Sequence, residues 1–285
     1  FTLSGDSIDT VLESDILWAT LGNMVIENGD ETLLIPDGPT VRTSIAVEED
    51  TISIVTKEEI EKMFDSISVL GIEGIDEIDD LGVSIITDII NDDSSIETLL
   101  TSEIVTATVG DLIYNMSVEE TDGEEESDTL LKIPQESLTS VSENGTSYPV
   151  VKKTDIEDLL KALGTLEIED INNITWGVGI LYNLEEPSED PEATPTMDEA
   201  KATTLFTSKI VHATISNVIL DWTVDDDPTD DEEPEISVPY FSPENETLNS
   251  DIRYFNDVDE FEWISVDELK AIIRALLVLD IEEEG

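Results

Sequence analysis

The chain has 285 residues and carries 12 basic against 70 acidic side chains, a formal net charge of −58 at pH 7. A chain this acidic cannot neutralise phosphates, which excludes DNA, RNA and anionic membrane surfaces as favoured partners. The absence of cysteine excludes disulfide scaffolds, thiolate catalysis and cysteine-ligated metal sites. Leucine, isoleucine, valine and phenylalanine together make up 31% of the residues, well above the roughly 20% below which a charged chain stays unfolded. A folded protein is therefore expected.

The apolar runs and the start of the sequence indicate where the protein is located. No stretch approaches the roughly 18–20 apolar residues of a membrane span, so membrane insertion is not expected. The chain starts at Phe1 without an initiator methionine or a basic and apolar leader. This start indicates a processed mature protein or a piece of a longer one, and secretion would explain it.

An internal repeat organises the chain, and its first block is the longest match. This block reads SIDTVLESDILWATLGNMVI from Ser7, SIETLLTSEIVTATVGDLIY from Ser95 and KATTLFTSKIVHATISNVIL from Lys201. Apolar positions continue at helical spacing along it, so it predicts a helix, although the run IVTATV is rich in β-branched residues. Three copies in register predict three modules of about 80–90 residues.

Short apolar runs that end in proline follow the first block. They are LLIP at residues 33–36, LKIP at 131–134 and ISVP at 236–239. Their β-branched residues and bounding turn residues predict strands.

The third block has the clearest helical pattern. It begins with VTKEEIEKMF at Val55, VKKTDIEDLL at Val151 and ISVDELKAII at Ile264. Thr56 with Glu59 and Ser265 with Glu268 match the capping box that starts a helix, whereas the second copy has lysine at the cap position.

A fourth block occurs in two copies only. It reads LGVSIITDI from Leu81 and WGVGILYNL from Trp176, and it predicts a strand. The third repeat has no such block because the sequence stops at Gly285. If these strands complete the sheets of the first two modules, the third module presents an unpaired edge.

These elements predict an α+β fold with three tandem repeat modules, each with two helices packed on a small β-sheet, arranged as a rod. The predicted divisions are an N-terminal docking segment at 1–6, repeat 1 at 7–91, repeat 2 at 92–184, an acidic proline-containing linker at 185–200 and repeat 3 at 201–285.

The search for catalytic groups finds no convergent set. His212 is the only histidine, and repeats 1 and 2 have no histidine at the matching position, so an ordinary helical role is expected. No nucleophile elbow, zinc motif or phosphate loop occurs. The prediction is that the protein is not an enzyme, with a carbohydrate-active or other hydrolase kept as a rival hypothesis.

Calcium is the best chemical candidate for a ligand, because this hard cation takes six to eight oxygen ligands. The densest acidic cluster predicts a Ca²⁺ site and consists of Asp225, Asp226, Asp227, Asp230 and Asp231; a second cluster holds Asp76, Asp79 and Asp80. None of them fits an EF-hand loop. The competing explanation is that surface acid adapts the protein to high salt, which predicts stability that rises with salt.

Among the Asn-x-Ser/Thr sequences, Asn144 in the polar loop SENGTS is the expected glycosylation site, which agrees with an exterior location.

The cysteine-free, acidic tandem modules with the pattern S-x-I-x-x-A-T, an I-P run and an E-I-x-x-L helix resemble repeat regions of large prokaryotic surface and extracellular proteins. Adhesin stalks, surface-layer proteins and filament subunits are of this kind. The resemblance implies a structural role.

The favoured hypothesis is a secreted structural protein, a subunit of an extracellular filament or surface layer whose partner is itself or an adjacent surface-protein module. Head-to-tail assembly is predicted through Phe1, Thr2, Leu3 and Ser4, which would dock against the incomplete repeat 3 of the next subunit. The alternative is a calcium-dependent adhesin or binding module of a larger surface protein.

Overall fold

The computed structural model describes residues 5–29, 32–47, 50–71, 92–117, 131–166, 182–187, 194–221, 249–255 and 260–279. These residues form α-helices and two-stranded antiparallel sheets, so the predicted α+β class is confirmed. Within the described residues, each repeat has the same order of elements: a short helix, a longer helix, a β-hairpin and a third helix.

Repeat 1 shows this order first. It contains α1 (Gly5–Leu12), α2 (Asp15–Gly29), β1 (Arg42–Val47), β2 (Asp50–Val55) and α3 (Lys57–Ser68). The two strands pair antiparallel.

Repeat 2 follows the same plan. Its elements are α4 (Asp93–Leu99), α5 (Glu103–Asn115), β3 (Leu138–Glu143), β4 (Thr146–Val151) and α6 (Lys153–Thr165). A short 3₁₀ turn at Gln135–Ser137 precedes β3.

Repeat 3 completes the series. It contains α7 (Glu199–Leu205), α8 (Lys209–Asp221), β5 (Asn249–Phe255), β6 (Glu260–Ile264) and α9 (Val266–Leu279). The pairing of β5 with β6 is antiparallel and contains a register irregularity.

The first block is helical as predicted, but it forms two helices instead of one. The breaks fall just before Ser14, Ser102 and Ser208, because a serine hydroxyl caps the second helix: Ser102 Oγ accepts the backbone N–H of Val105 at 3.1 Å. The predicted plan of two helices per module is therefore wrong by one helix. The polar stretch between the proline run and the third block contains the β-hairpin.

The predicted helix starts in the third block are confirmed. Thr56 Oγ1 accepts the backbone N–H of Glu59, and Ser265 Oγ accepts that of Glu268, each at 3.3 Å. The predicted strand in the fourth block is wrong at its end, where Tyr182–Leu184 form a 3₁₀ turn. Its other residues and residues 81–89 lie outside the described part of the chain.

The described residues group into two compact units. Of these residues, one unit holds those within 5–116 and 138–160, and the other holds 117, 131–137, 161–166 and those within 182–279. The core of the first unit joins residues of two repeats, since Leu34 packs with Ala107 and Val150. Repeat 1 and part of repeat 2 thus share one hydrophobic core.

A glycine on the second helix allows each of the first two repeats to bring that helix close to its hairpin. A Cβ at Gly22 would lie 2.8 Å from Val55 O, and one at Gly110 would lie 2.7 Å from Val151 O. Both neighbours are backbone atoms that cannot rotate away. Small residues at this position therefore set the distance between the helix and the sheet.

We expect Gly110→Ala to destabilise the first unit by about 1–3 kcal/mol through overpacking. A helical glycine normally gains about 1 kcal/mol when replaced by alanine, so the sign of the change is diagnostic. Gly38→Ala is the matched control, because its Cβ would lie 3.5 Å from the Thr40 hydroxyl. Urea unfolding followed by circular dichroism measures both variants, and equal stability of the two would contradict the prediction.

Candidate functional site: the junction between successive repeats

The proline-terminated run of one repeat binds the second helix of the next repeat. In the first unit, the backbone N–H of Leu34 donates to Thr108 Oγ1 at 3.0 Å. In the second unit, the backbone N–H of Lys132 donates to Thr214 Oγ1, also at 3.0 Å. These residues occupy matching positions of the repeat, so the same junction occurs twice in the chain.

The threonine hydroxyl at this junction is oriented by its own helix. Thr108 Oγ1 donates to Ile104 O at 2.9 Å, and Thr214 Oγ1 donates to Ile210 O at 2.8 Å. Because the hydroxyl proton is used inside the helix, an oxygen lone pair points outward as the acceptor. Both hydroxyls are buried in apolar surroundings, where a satisfied hydrogen bond fixes the register of the docked run.

The predicted strands at residues 33–36 and 131–134 are therefore wrong, since neither run forms regular secondary structure. Side chains accept three of their backbone donors: besides the Leu34 and Lys132 contacts, the backbone N–H of Ile35 donates to Glu143 Oε1 at 3.0 Å. The N–H of Leu33 donates to Gly29 O at 2.8 Å. Leu33, Leu34 and Ile35 are all buried. The third such run, at residues 236–239, lies outside the described residues.

A buried carboxylate forms a second part of the junction. Glu59 Oε1 accepts the hydroxyl of Ser102 at 2.7 Å and the backbone N–H of Ile104 at 2.9 Å. Glu59 on α3 thus caps the start of α5 in the next repeat. Burial raises the pKa of Glu59, and the hydrogen bonds from Ile104 and Ser102 oppose that rise.

Charged side chains form hydrogen bonds across the edge of the same junction. Arg42 donates to Ile35 O at 2.7 Å and to Glu143 Oε1 at 3.1 Å. Asp37 accepts the backbone N–H groups of Asn144 and Gly145, each at 2.9 Å, in the turn between β3 and β4. These bonds, with that from Gly145 the largest, hold the pKa of Asp37 below its usual value.

The predicted glycosylation site lies in this turn. Asn144 is exposed and has a positive φ of 50°, a conformation that asparagine adopts more readily than most residues. Its Oδ1 accepts a hydrogen bond from Arg42 at 3.2 Å. Glycosylation of Asn144 stays a prediction.

His212 has a structural position in α8. It is buried, and its Nε2 lies 2.7 Å from Ile264 O, which fixes Nε2 as the donor because a carbonyl can only accept. In repeat 1, Trp18 Nε1 donates to Val55 O at 3.0 Å in the matching place. His212 therefore replaces a tryptophan as the link between the second helix and the end of the hairpin.

Burial lowers the pKa of His212, with the Ile264 carbonyl opposing the change. A lowered folded pKa means that the folded state favours neutral histidine, so its stabilisation is present above the unfolded value near 6.5 and is lost as the pH falls below it. We expect the wild type to lose stability relative to His212→Gln as the pH falls from 7.5 to 5. Thermal melts of both proteins in 1 M NaCl measure the difference; a pH-independent difference would contradict the prediction.

The structure does not describe the other predicted site residues. Phe1–Ser4, the calcium candidates Asp225–Asp227, Asp230 and Asp231, and the second acidic cluster all lie outside the described residues. Among the residues that the structure does describe, no three histidine or acidic side chains lie close enough to hold a metal ion.

The predicted linker at 185–200 has its two ends tied together. Glu185 and Met197 form an isolated antiparallel bridge, and the backbone N–H of Asp198 donates to Leu184 O at 2.7 Å. Asp198 then caps α7, which begins at Glu199. Residues at the two ends of the segment therefore lie side by side.

No protein-family model, curated protein or solved structure matches this chain. None of the described helices is both long and apolar enough to cross a membrane. The junction itself therefore provides the argument about function. Of the residues that the sequence analysis singled out, the junction contains Glu59, in a role different from the predicted capping box, and Asn144.

Proposed function

We propose that the protein is a secreted structural repeat protein whose modules form a rod and whose copies join head to tail into an extracellular filament or surface layer. What supports the proposal is the junction that occurs twice: a backbone N–H donates to a buried threonine hydroxyl at 3.0 Å in each unit. A repeat that binds its successor in a fixed way can be extended by adding further copies of the same unit. Within the described residues, the contacts that recur between repeats serve packing and capping between helices and hairpins.

Charge supports an assembly that works in saline surroundings. At −58, two copies repel strongly in dilute buffer, and this repulsion is screened within about 3 Å at 1 M salt against about 30 Å at 0.01 M. Assembly at high ionic strength is therefore favoured.

The test is negative-stain electron microscopy of the concentrated protein with and without millimolar calcium at matched ionic strength, together with light scattering. Filaments or sheets with a repeat near the length of three modules are expected. Isolated particles under every condition would overturn the proposal. In that event, a calcium-dependent adhesin module becomes the better hypothesis, with the acidic loops as ligands.

The N-terminal segment enters the same test. Deleting Phe1–Ser4 is expected to abolish assembly while leaving the modules folded, as measured by circular dichroism. If the shortened protein still polymerises, these four residues are not the docking segment.

A further inference from the structure

The second helix of repeat 1 exposes the side chains that are covered in the other repeats. Ile16 is 79% exposed and Leu17 is 48% exposed, whereas their counterparts Ile104 and Val105 in repeat 2 are 0% exposed. The counterparts in repeat 3, Ile210 and Val211, are likewise fully buried. We call Ile16, Leu17, Thr20 and Met24 the head surface; all four are exposed.

The hydroxyl of Thr20 is oriented as the hydroxyls of the junction threonines are. Its Oγ1 donates to Ile16 O at 2.8 Å, as the hydroxyls of Thr108 and Thr214 do in their own helices. In those two threonines the outward lone pair accepts the N–H of the preceding repeat, while Thr20 is exposed. The head surface is thus already arranged for the same contact.

The third helix of repeat 3 shows the complementary difference. On α3, Glu59, Met63 and Ser66 are fully buried, and on α6 their counterparts are buried as well, namely Asp155, Leu159 and Ala162. On α9, the counterparts Glu268 and Ile272 are partly exposed and Ala275 is exposed. We call Glu268, Ile272 and Ala275 the tail surface.

The contacts of α3 show what the tail surface is shaped to receive. Besides the two bonds to Glu59, Ser66 Oγ accepts the backbone N–H of Ser102 at 3.3 Å. Ser102 corresponds to Ser14, which comes just before the head surface in the sequence, and Ile104 corresponds to Ile16, which belongs to the head surface. Each copy of the chain therefore carries an uncovered surface of both kinds, and the two are counterparts of surfaces that bind each other inside the chain.

We propose that the head surface of one copy docks on the tail surface of a second copy in the register of the junction between repeats 1 and 2. In this contact Glu268 accepts the hydroxyl of Ser14 and the backbone N–H of Ile16. The inference rests on the proposed head-to-tail assembly and adds these two surfaces to the proposed docking of Phe1–Ser4. The occupant is a second copy, because its tail presents the glutamate and apolar side chain at the positions where α3 presents Glu59 and Met63. Such a heterologous contact extends into a chain of subunits unless its rotation closes a ring.

A charge placed in the head surface tests the contact. Ile16→Asp is expected to weaken self-association at least about 30-fold, as measured by sedimentation velocity in 1 M NaCl, since it puts an unpaired charge in the centre of the interface. Val47→Asp is the matched control, because Val47 is also an exposed apolar residue, at 44%, but lies at the end of the β1–β2 hairpin. The control is expected to associate as the wild type does.

Cross-linking gives a second measurement that does not disturb the contact. The chain has no cysteine, so Glu13→Cys on one copy and Asp267→Cys on another provide unique sites beside Ser14 and Glu268. With a short bis-maleimide reagent, the mixed pair is expected to give cross-linked dimers. Ser140→Cys, on an exposed position of β3, replaces Glu13→Cys in the control pair and is expected to give few.

The outcomes separate this inference from the proposed function. If the wild type associates but Ile16→Asp and Val47→Asp associate equally well, and both cysteine pairs cross-link alike, the inference is wrong and the head-to-tail proposal stands on another surface. If Ile16→Asp is unfolded by circular dichroism, the cross-linking result decides. A wild type that stays monomeric in every condition overturns both.

Discussion

Glu59→Ala is expected to cost the first unit about 2–6 kcal/mol of unfolding free energy. The substitution leaves the hydroxyl of Ser102 and the backbone N–H of Ile104 without their common acceptor, and each buried unsatisfied donor costs about 1–3 kcal/mol. Both donors belong to the next repeat, so the loss falls on the junction and not on α3 itself. Urea unfolding in 1 M NaCl measures the change.

Glu59→Gln is the matched control. Its amide oxygen can keep both hydrogen bonds, and the amide nitrogen replaces Glu59 Oε2, which has no hydrogen-bond partner among the described residues. We expect a cost of about 1 kcal/mol, since the two N–H donors of the amide nitrogen are then buried without an acceptor. Equal losses for alanine and glutamine would show that the carboxylate does not bind across the junction.

The pH dependence of the glutamine variant provides an independent check. Burial raises the pKa of Glu59, so the folded state holds its proton to a higher pH than the unfolded chain does. The wild type therefore loses stability relative to Glu59→Gln as the pH rises from the unfolded value near 4.5 through the raised folded value. A difference that grows in the opposite direction would contradict the burial of this carboxylate.

The internal repeat in the sequence correctly predicted the α+β class and the starts of the third helices. Thr56 and Ser265 combine a polar cap with an apolar helical pattern, and both signals are local. The break before Ser14 and its counterparts was missed because the apolar spacing continues across it. A serine within a helical pattern indicates a cap only when the packing of the next turn is known.

The junction could not be predicted because its partners belong to different repeats. The proline runs resemble strands in composition, yet Leu34 donates to a threonine 74 residues away. Glu59 fits a capping box within its own helix, but its side chain caps the helix of the next repeat. The available signal was the recurrence of an acid at Glu59, Asp155 and Glu268 together with a serine at Ser14, Ser102 and Ser208. Such recurrence shows which residues belong to the repeat without showing which of them meet.

The junction also explains how an acidic chain can keep contacts between repeats. Among the described residues, apolar side chains, the threonine hydroxyls and the buried carboxylate of Glu59 occupy its centre. Arg42, one of 12 basic residues, is used at its rim against Asp37 and Glu143. Scarce positive charge is thus placed where two repeats meet.

The Tm is expected to rise by at least about 10 °C between 0.05 M and 2 M NaCl. This rise corresponds to about 3–5 kcal/mol of unfolding free energy, because each kcal/mol raises the Tm of a chain of this size by about 2–4 °C. The 70 acidic side chains repel one another, and only 12 basic side chains offset this repulsion. Because unfolding moves the acidic side chains apart, the repulsion favours the unfolded chain at low ionic strength. Salt removes this penalty by shortening the screening length from about 14 Å towards about 2 Å, following the square-root dependence on ionic strength. Differential scanning calorimetry measures the shift.

Two controls assign the salt effect to general screening. Asp65→Lys on the exposed side of α3 creates a favourable pair with Glu61 at four-residue spacing, and it is expected to stabilise the protein by about 0.3–0.5 kcal/mol in low salt and by less in high salt. Calcium chloride and sodium chloride at equal ionic strength are expected to give similar Tm values. A sharp increase with millimolar calcium alone would instead mean that acidic side chains bind the ion specifically, and the protein would then depend on calcium and not on saline surroundings for its fold.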